Sequence, residues 1–244
     1  MAGMAVVRAE LTTAEAVEQV RRRGYVLVEA SAFPDPPAGP TLAALAATWD
    51  DLAPDTALVD GGRYRRRRYG RLRARVSGGA VRLTRLGHAE FRQDTNPLYR
   101  GRARRFEPMR AATLAHPALR RLVTFDVTVG EARRSVGDWE VGLHQVRIVA
   151  RGGDVGRPTP EGRHRDGHLF VGMHLMARHD CDGGVSIVES SDGTVSEFTL
   201  ARPLDTVVVE DAAVTHEVTP IHATPGKAEG VRDMLLVDLN PYRA

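Results

Sequence analysis

The 244 residues contain one cysteine, Cys181, and one lysine, Lys227. A single thiol rules out an internal disulfide and fits a reducing compartment, so a cytoplasmic location is expected. Asp180 and Asp182 flank it and disfavour the thiolate, which argues against a nucleophilic cysteine. With lysine nearly absent, arginine supplies the basic side, and acids balance it to a formal net charge of +3. That is not the one-sided excess of a nucleic-acid-binding surface, so no nucleic-acid partner is expected. The preference for arginine fits a GC-rich genome. No apolar run approaches the roughly 20 residues that span a bilayer, so no membrane partner is expected. Met1 to Arg8 is too short and too soon charged to read as a secretory signal. A glycine-rich phosphate loop and an HExxH motif are also missing.

What is present fits one globular domain over residues 1–244, since all-β domains often reach this size. Thr12-Thr13-Ala14-Glu15 forms a capping box, and the helix it opens is expected to run through Arg23 and stop at Gly24. Tyr25 to Val28 reads as a strand, residues 34–40 as a proline-rich connector, and Thr41 to Trp49 as a helix. Residues 61–75 hold the densest arginine run, with Tyr64 and Tyr69. It reads as a solvated strand face, and Gly78-Gly79 after it as a hairpin turn. Asp94 to Gly101 reads as a loop and Met109 to Phe125 as helix with a break or a fresh start at Pro117; residues 126–136 either extend it or start another.

From Trp139 the pattern changes. Strands are expected at Val141–Ala150, Leu169–Ala177, Val185–Glu189, Glu197–Leu200, Thr206–Glu210 and Met234–Leu239, separated by Gly, Asp and Pro. The expected class is α+β: a double-stranded β-helix (jelly roll) core over 139–240, buttressed by a mainly helical N-terminal part, 1–138, which also carries substrate-side segments.

The chemistry is concentrated in His164-Arg165-Asp166, His216 and Arg232. A His and an Asp two positions apart on an extended segment point to the same side. With a second His they make two imidazoles and one carboxylate, a set that covers one face of an octahedral metal and leaves the rest open, as in non-haem Fe(II) oxygenases. Arg232 borders the apolar run Met234 to Val237, where a planar guanidinium suits a carboxylate of a dicarboxylate cosubstrate.

The words around these residues resemble the bacterial 2-oxoglutarate/Fe(II)-dependent dioxygenases of the L-isoleucine hydroxylase type. Residues 160–168 are similar to that family's ligand segment, Thr215–Ile221 to its second-histidine segment, and Val231–Val237 to its arginine segment. Gly183-Gly184 and Pro203-Leu204-Asp205 sit where it has a glycine pair and a turn. Phe91-Arg92-Gln93, Asn96 and Arg105–Pro108 look like its N-terminal half. The resemblance implies a hydroxylase of a small polar molecule, a free amino acid or an amino-acid-derived intermediate, using Fe(II), 2-oxoglutarate and O2. It implies His164, Asp166 and His216 as catalytic metal ligands and Arg232 as the cosubstrate clamp. An aspartate at 166, where halide-transferring relatives leave the position empty, points to hydroxylation; desaturation or ring closure would use the same site.

Gln93, Asp94, Asn96, Gln145, Arg147 and His168 are the candidate substrate contacts. His168 continues HxDxH, but Gly167 is expected to break the alternation and leave it behind the ligands or facing substrate. Arg147 could hold a substrate carboxylate or pair with a surface acid. Asp205, Asp211 and Asp233 could orient the site from behind, though turn roles explain Asp205 and Asp211 just as well. Other classes fit parts of the sequence: a zinc hydrolase, which would give Arg232 no role; a jelly-roll sensor that binds metal and carboxylate without turnover; and an interaction module on the arginine run.

Overall fold

A computed structural model describes residues 10–93, 95–96 and 98–243. The chain opens with helix α1 (Thr13–Arg23), strand β1 (Tyr25–Val28), helix α2 (Gly39–Ala46) and strands β2 (Ala53–Pro54), β3 (Arg65–Ser77), β4 (Ala80–Arg85), β5 (Phe91–Arg92) and β6 (Ala103–Arg104). Helices α3 (Ala111–Ala115) and α4 (Pro117–Arg134) follow. Then come strands β7 (Asp138–Arg151), β8 (Phe170–His179), β9 (Cys181–Gly183), β10 (Ser186–Ser190), β11 (Val195–Phe198), β12 (Thr206–Glu210), β13 (Val214–Val218), β14 (Ile221–Ala223) and β15 (Glu229–Pro241).

Local signals set several boundaries. Thr12 Oγ1 accepts from Glu15 N at 3.2 Å while Thr12 N donates to Glu15 Oε2 at 2.9 Å, the capping box expected from the sequence. Gly24 ends α1 in the left-handed region (φ +80), where a Cβ would come within 2.6 Å of Val214. Of the two readings at Pro117 the fresh start holds: α3 ends at Ala115, Pro117 opens α4, and α4 continues to Arg134.

The strands make a mixed α/β fold around a large antiparallel sheet, in the order β1-β12-β8-β15-β7-β3-β2, with β4 paired to β3. A smaller antiparallel sheet, β11-β10-β13, carries His216. Residues 1–138 hold helices α1 to α4 and also supply β1 to β4 of the large sheet, and β3 is 13 residues long. The short β13, β14 and β9 were also not expected.

Alternation along two long neighbours divides the molecule. On β15, Leu235, Val237 and Leu239 face the helices, and on β7 Trp139, Val141 and Leu143 do the same. They join Leu119, Leu122 and Val127 of α4 and Trp49 in the principal core, each such buried side chain contributing about 1.5–3 kcal/mol. The opposite parity, Arg232, Met234 and Leu236 on β15 and His144, Val146 and Ile148 on β7, lines a cavity between the large sheet and β10-β13. Among the described residues, no helix is long and apolar enough to cross a membrane.

Candidate functional site

His164 lies in a short extended segment whose backbone pairs with His216 on β13 through two hydrogen bonds of 3.0 Å. The rings stand side by side, with centroids 4.6 Å apart. Asp166, two residues on, points the same way: its Oδ1 is 3.4 Å from His164 Nε2 and its Oδ2 3.3 Å from His216 Nε2. The three ligand atoms lie within 4.8 Å of one another. Gly167 then turns the chain in the left-handed region (φ +86). Asp211 fixes this turn by accepting from Asp166 N at 2.9 Å and Gly167 N at 2.7 Å.

This donor set fits a divalent metal. His164 Nδ1 lies 2.9 Å from the Gly162 carbonyl, which can only accept, so Nδ1 carries a proton and Nε2 is the nitrogen that faces the cluster and would give its lone pair to a metal. Burial pulls the His164 pKa down, but the hydrogen bond and charge of Asp166, with the charge of Glu161, outweigh it and raise the value to about 9. Asp166 is buried, which opposes ionisation, yet both histidines hold its carboxyl well below the usual range. Two nitrogens and one carboxylate oxygen form a three-point face with positions left for other ligands.

Arg232 occupies the same cavity from β15 and is only 3% exposed. Its Nε has no hydrogen-bond partner among the described residues, and burial, reinforced by the Arg178 charge, lowers its pKa to about 10. A buried cation without an anion is costly, and a ligand carboxylate would relieve it. Gly184 makes room for it: a Cβ there would lie 3.0 Å from Arg178 Nη1 and 3.4 Å from Arg232 Cδ.

The other candidates separate. Gln93 reaches the cluster, its Nε2 donating to Asp166 Oδ1 at 2.7 Å. Asn96 is one step removed, donating to Glu161 Oε1 at 2.9 Å. Asp94 lies outside the described residues. Gln145 and Arg147 have the wrong strand parity and point away from the cavity. Gln145 donates to Thr48 Oγ1 at 2.8 Å, and Arg147 pairs with Asp233 at 2.8 Å and Asp50 at 3.1 Å, so the substrate contacts expected of them are corrected. His168, rotated by Gly167, lies 2.9 Å from Asn240 Nδ2 and 3.3 Å from Asp238, behind the cavity wall rather than at the cluster. Asp205 serves a turn, accepting from Ala201, Arg202 and Ala30 backbone nitrogens. Asp233 is occupied by Arg147 rather than by Arg232.

Several cavity residues were not expected. The arginine run is not uniformly solvated: Arg65 and Arg67 are buried and face inward, while Arg71 and Arg73 pair with Glu140 and Asp138. Arg65 Nε donates to Asp55 Oδ2 at 2.6 Å. Arg67 donates through Nε (3.1 Å) and Nη2 (2.7 Å) to His144 Nδ1, so His144 carries its proton on Nε2 and donates it to Asp238 at 2.8 Å. Burial, with the Arg67 charge, pushes the His144 pKa down to about 3. Burial and the charges of Arg65 and Arg104 lower Arg67 to about 9. Arg104 itself lies over the Tyr99 ring at 3.7 Å and donates to Gln93 Oε1. Glu161 lines the same cavity, with Oε1 3.5 Å from His164 Nε2.

Comparison with known proteins agrees with this geometry. A family model described as 2OG-Fe dioxygenase matches residues 46–238. An L-isoleucine-4-hydroxylase from Bacillus thuringiensis is 31% identical over 142 residues, a match spanning 56% of this chain and 58% of that protein, less than two thirds of its length. The crystal structure of a bsmA homologue from Methylobium petroleophilum PM1 superimposes with a TM-score of 0.85 at 30% identity, covering 99% of both chains. That of IDO from Bacillus thuringiensis gives 0.77 at 23% identity, covering 99% of this chain and 100% of the other, a likeness of fold.

Proposed function

Because the chain belongs to the 2OG-Fe dioxygenase family, whose members use Fe(II), 2-oxoglutarate and O2, we propose that it hydroxylates a free amino acid or a small amino-acid-derived intermediate. The relative named L-isoleucine-4-hydroxylase supports that substrate class. Bound together, iron, cosubstrate and dioxygen supply the oxidising power that inserts oxygen into an unactivated C–H bond. On this reading His164, Asp166 and His216 hold the iron, and the Arg232 guanidinium holds the far carboxylate of 2-oxoglutarate. The two facing sheets, β8-β15-β7 and β10-β13, are read as the halves of a double-stranded β-helix.

The observation that carries the proposal is the opening of the His164-Asp166-His216 cluster and the unpaired Arg232 into one cavity. The chain's own work there is positional. The Gly162 carbonyl sets the His164 tautomer, Asp211 holds the Asp166 backbone, and Gln93 restrains its carboxylate. Val171, Met173, Leu200 and Met234 give the cavity apolar walls that limit water around the reacting groups. The test is a screen of amino acids for stimulated succinate release with a matching product heavier by one oxygen. Release by the wild type that disappears in His164→Ala supports the reading. Tight metal and 2-oxoglutarate binding with no turnover on any amino acid would contradict it.

A further inference from the structure

Two charged side chains in the cavity are left incomplete, and they have opposite signs. Glu161 is fixed through one oxygen only: Oε1 accepts from Asn96 Nδ2 at 2.9 Å, and Asn96 Oδ1 in turn accepts from Leu98 N at 3.1 Å, so the amide is locked. Its other oxygen, Oε2, is buried without a partner among the described residues. Arg104 is 5% exposed; one nitrogen donates to Gln93 Oε1, and its Nε is buried and unpartnered among the described residues. A buried donor or acceptor left unmade costs about 1–3 kcal/mol, more when it is charged, so two such groups on residues that line one cavity point to a ligand site.

Their placement around the metal cluster is continuous. Arg104 touches Gln93, Gln93 touches Asp166, Asp166 touches His164, and His164 Nε2 is 3.5 Å from Glu161 Oε1. The contact path between the positive and negative groups therefore runs through two of the three ligands, Asp166 and His164. Arg67 adds a second cation beside Arg104, and its only described hydrogen-bond partner is the neutral His144 ring. Asp55, the nearby carboxylate, is already bonded to Arg65. Apart from Arg232, the residues lining the cavity thus carry an unspent positive charge and an unspent carboxylate oxygen.

The geometry points to a zwitterion subsite: Glu161 Oε2 receives the α-ammonium of an amino acid, and Arg104, beside the charge of Arg67, receives its α-carboxylate. This rests on the amino-acid reading given above and adds the residues that enforce it. A 2-hydroxy acid, a simple amine or an amide-capped amino acid would each leave one buried charge unpaired, which is how a polar site rejects a close analogue.

Binding separates this from the parent proposal. The Fe(II)- and 2-oxoglutarate-loaded protein is titrated calorimetrically without oxygen, first with each common L-amino acid, then with the best binder's analogues lacking the amine or the carboxylate. The wild type is expected to lose at least about tenfold in affinity for each analogue, roughly one buried charged contact. Glu161→Gln should bind the amino acid more weakly and no longer distinguish it from the des-amino analogue. Arg104→Gln should become indifferent to the carboxylate, and Arg104→Lys should restore part of the discrimination. Asn96→Ala, which loosens Glu161 without removing it, should weaken selection for the amine, and unchanged 2-oxoglutarate affinity shows that each variant is folded. Variants that keep wild-type discrimination, or Glu161→Gln that loses Fe(II) and so marks Glu161 as a ligand, overturn the subsite while leaving the hydroxylase reading intact. A wild type that binds no amino acid overturns the reading itself, and the subsite with it.

Discussion

His164 and His216 are joined by a pair of reciprocal backbone hydrogen bonds, each 3.0 Å, although 52 positions separate them in the chain. One rung between the loop before β8 and strand β13 thus sets the spacing of both imidazoles, and Asp166 follows from His164 by local alternation. On the proposed reading, the spacing of the metal's two nitrogen donors is therefore set by the backbone.

The support behind Asp166 should show in metal affinity. Asp211 accepts from two backbone nitrogens in the ligand turn and touches no other cluster residue in the same way. Asp211→Ala is expected to weaken Fe(II) or Mn(II) binding by about 10–100-fold, the usual cost of losing an outer partner. Asp211→Asn, which keeps one acceptor, should fall between. Calorimetry with Mn(II) measures both, and wild-type affinity in Asp211→Ala would refute the role.

Gly184 tests the cosubstrate end independently of the metal. Its positive φ (+67) strains any L side chain, and a Cβ 3.0 Å from Arg178 Nη1 and Ile221 Cγ2 and 3.4 Å from Arg232 Cδ would push these neighbours by a few tenths of an ångström. Gly184→Ala should raise the KM for 2-oxoglutarate several-fold while Mn(II) affinity stays put. An equal loss in both would show a general folding defect instead.

The two arginines considered from the sequence should behave oppositely. Arg232→Lys keeps the charge but loses the planar fork, and a rise of at least about tenfold in the 2-oxoglutarate KM is expected, about 1.4 kcal/mol. Arg147→Ala should leave both KM values unchanged and lower stability by about 1–3 kcal/mol, because it strips Asp233, 3% exposed at the side chain, of its partner. Denaturant unfolding beside steady-state kinetics distinguishes them.

Acid should weaken the Asp55–Arg65 pair. Burial favours the neutral form of Asp55, but the charges of Arg65 and Arg67 and the Ala57 backbone N–H hold its pKa below the usual 3.8. The unfolded state then takes up the proton first, so the contribution is fully present above about pH 4 and lost as the pH falls through the lower folded value. Asp55→Asn is expected to cost about 3 kcal/mol at neutral pH, the scale of a broken buried pair. Its deficit in Tm against the wild type should shrink below pH 3.8; a deficit independent of pH would mean that packing, not charge, is what Asp55 supplies.

Much of the site was legible because its residues carry chemistry in a readable pattern. His164 and Asp166 share a parity, Gly167 signals the turn that removes His168, and Arg232 sits where an apolar strand begins. The inward arginines were hidden for a physical reason. Residues 65–68 are all arginine, so period-two alternation offers no contrast between faces, and only the register of β3 on β7 shows that Arg65 and Arg67 face the cavity while Arg66 does not. The same register, read on Gln145 and Arg147, turns both away. Strand β13 is five residues long, with only Val214 and Val218 sharing the side of His216, too short to register as periodic. Glu161, three residues before His164, was visible in sequence but distinguished only by its missing partner.

If three ligands and one guanidinium serve a single iron–keto acid site, one titration shows it directly. Fe(II) and 2-oxoglutarate are added without oxygen while the visible spectrum is recorded, at the cosubstrate concentration that half-saturates the wild type. A weak charge-transfer band is expected in the wild type and absent in His216→Ala and in Arg232→Ala. A wild type that shows no band, or an Arg232→Ala protein whose band matches it, would contradict the account.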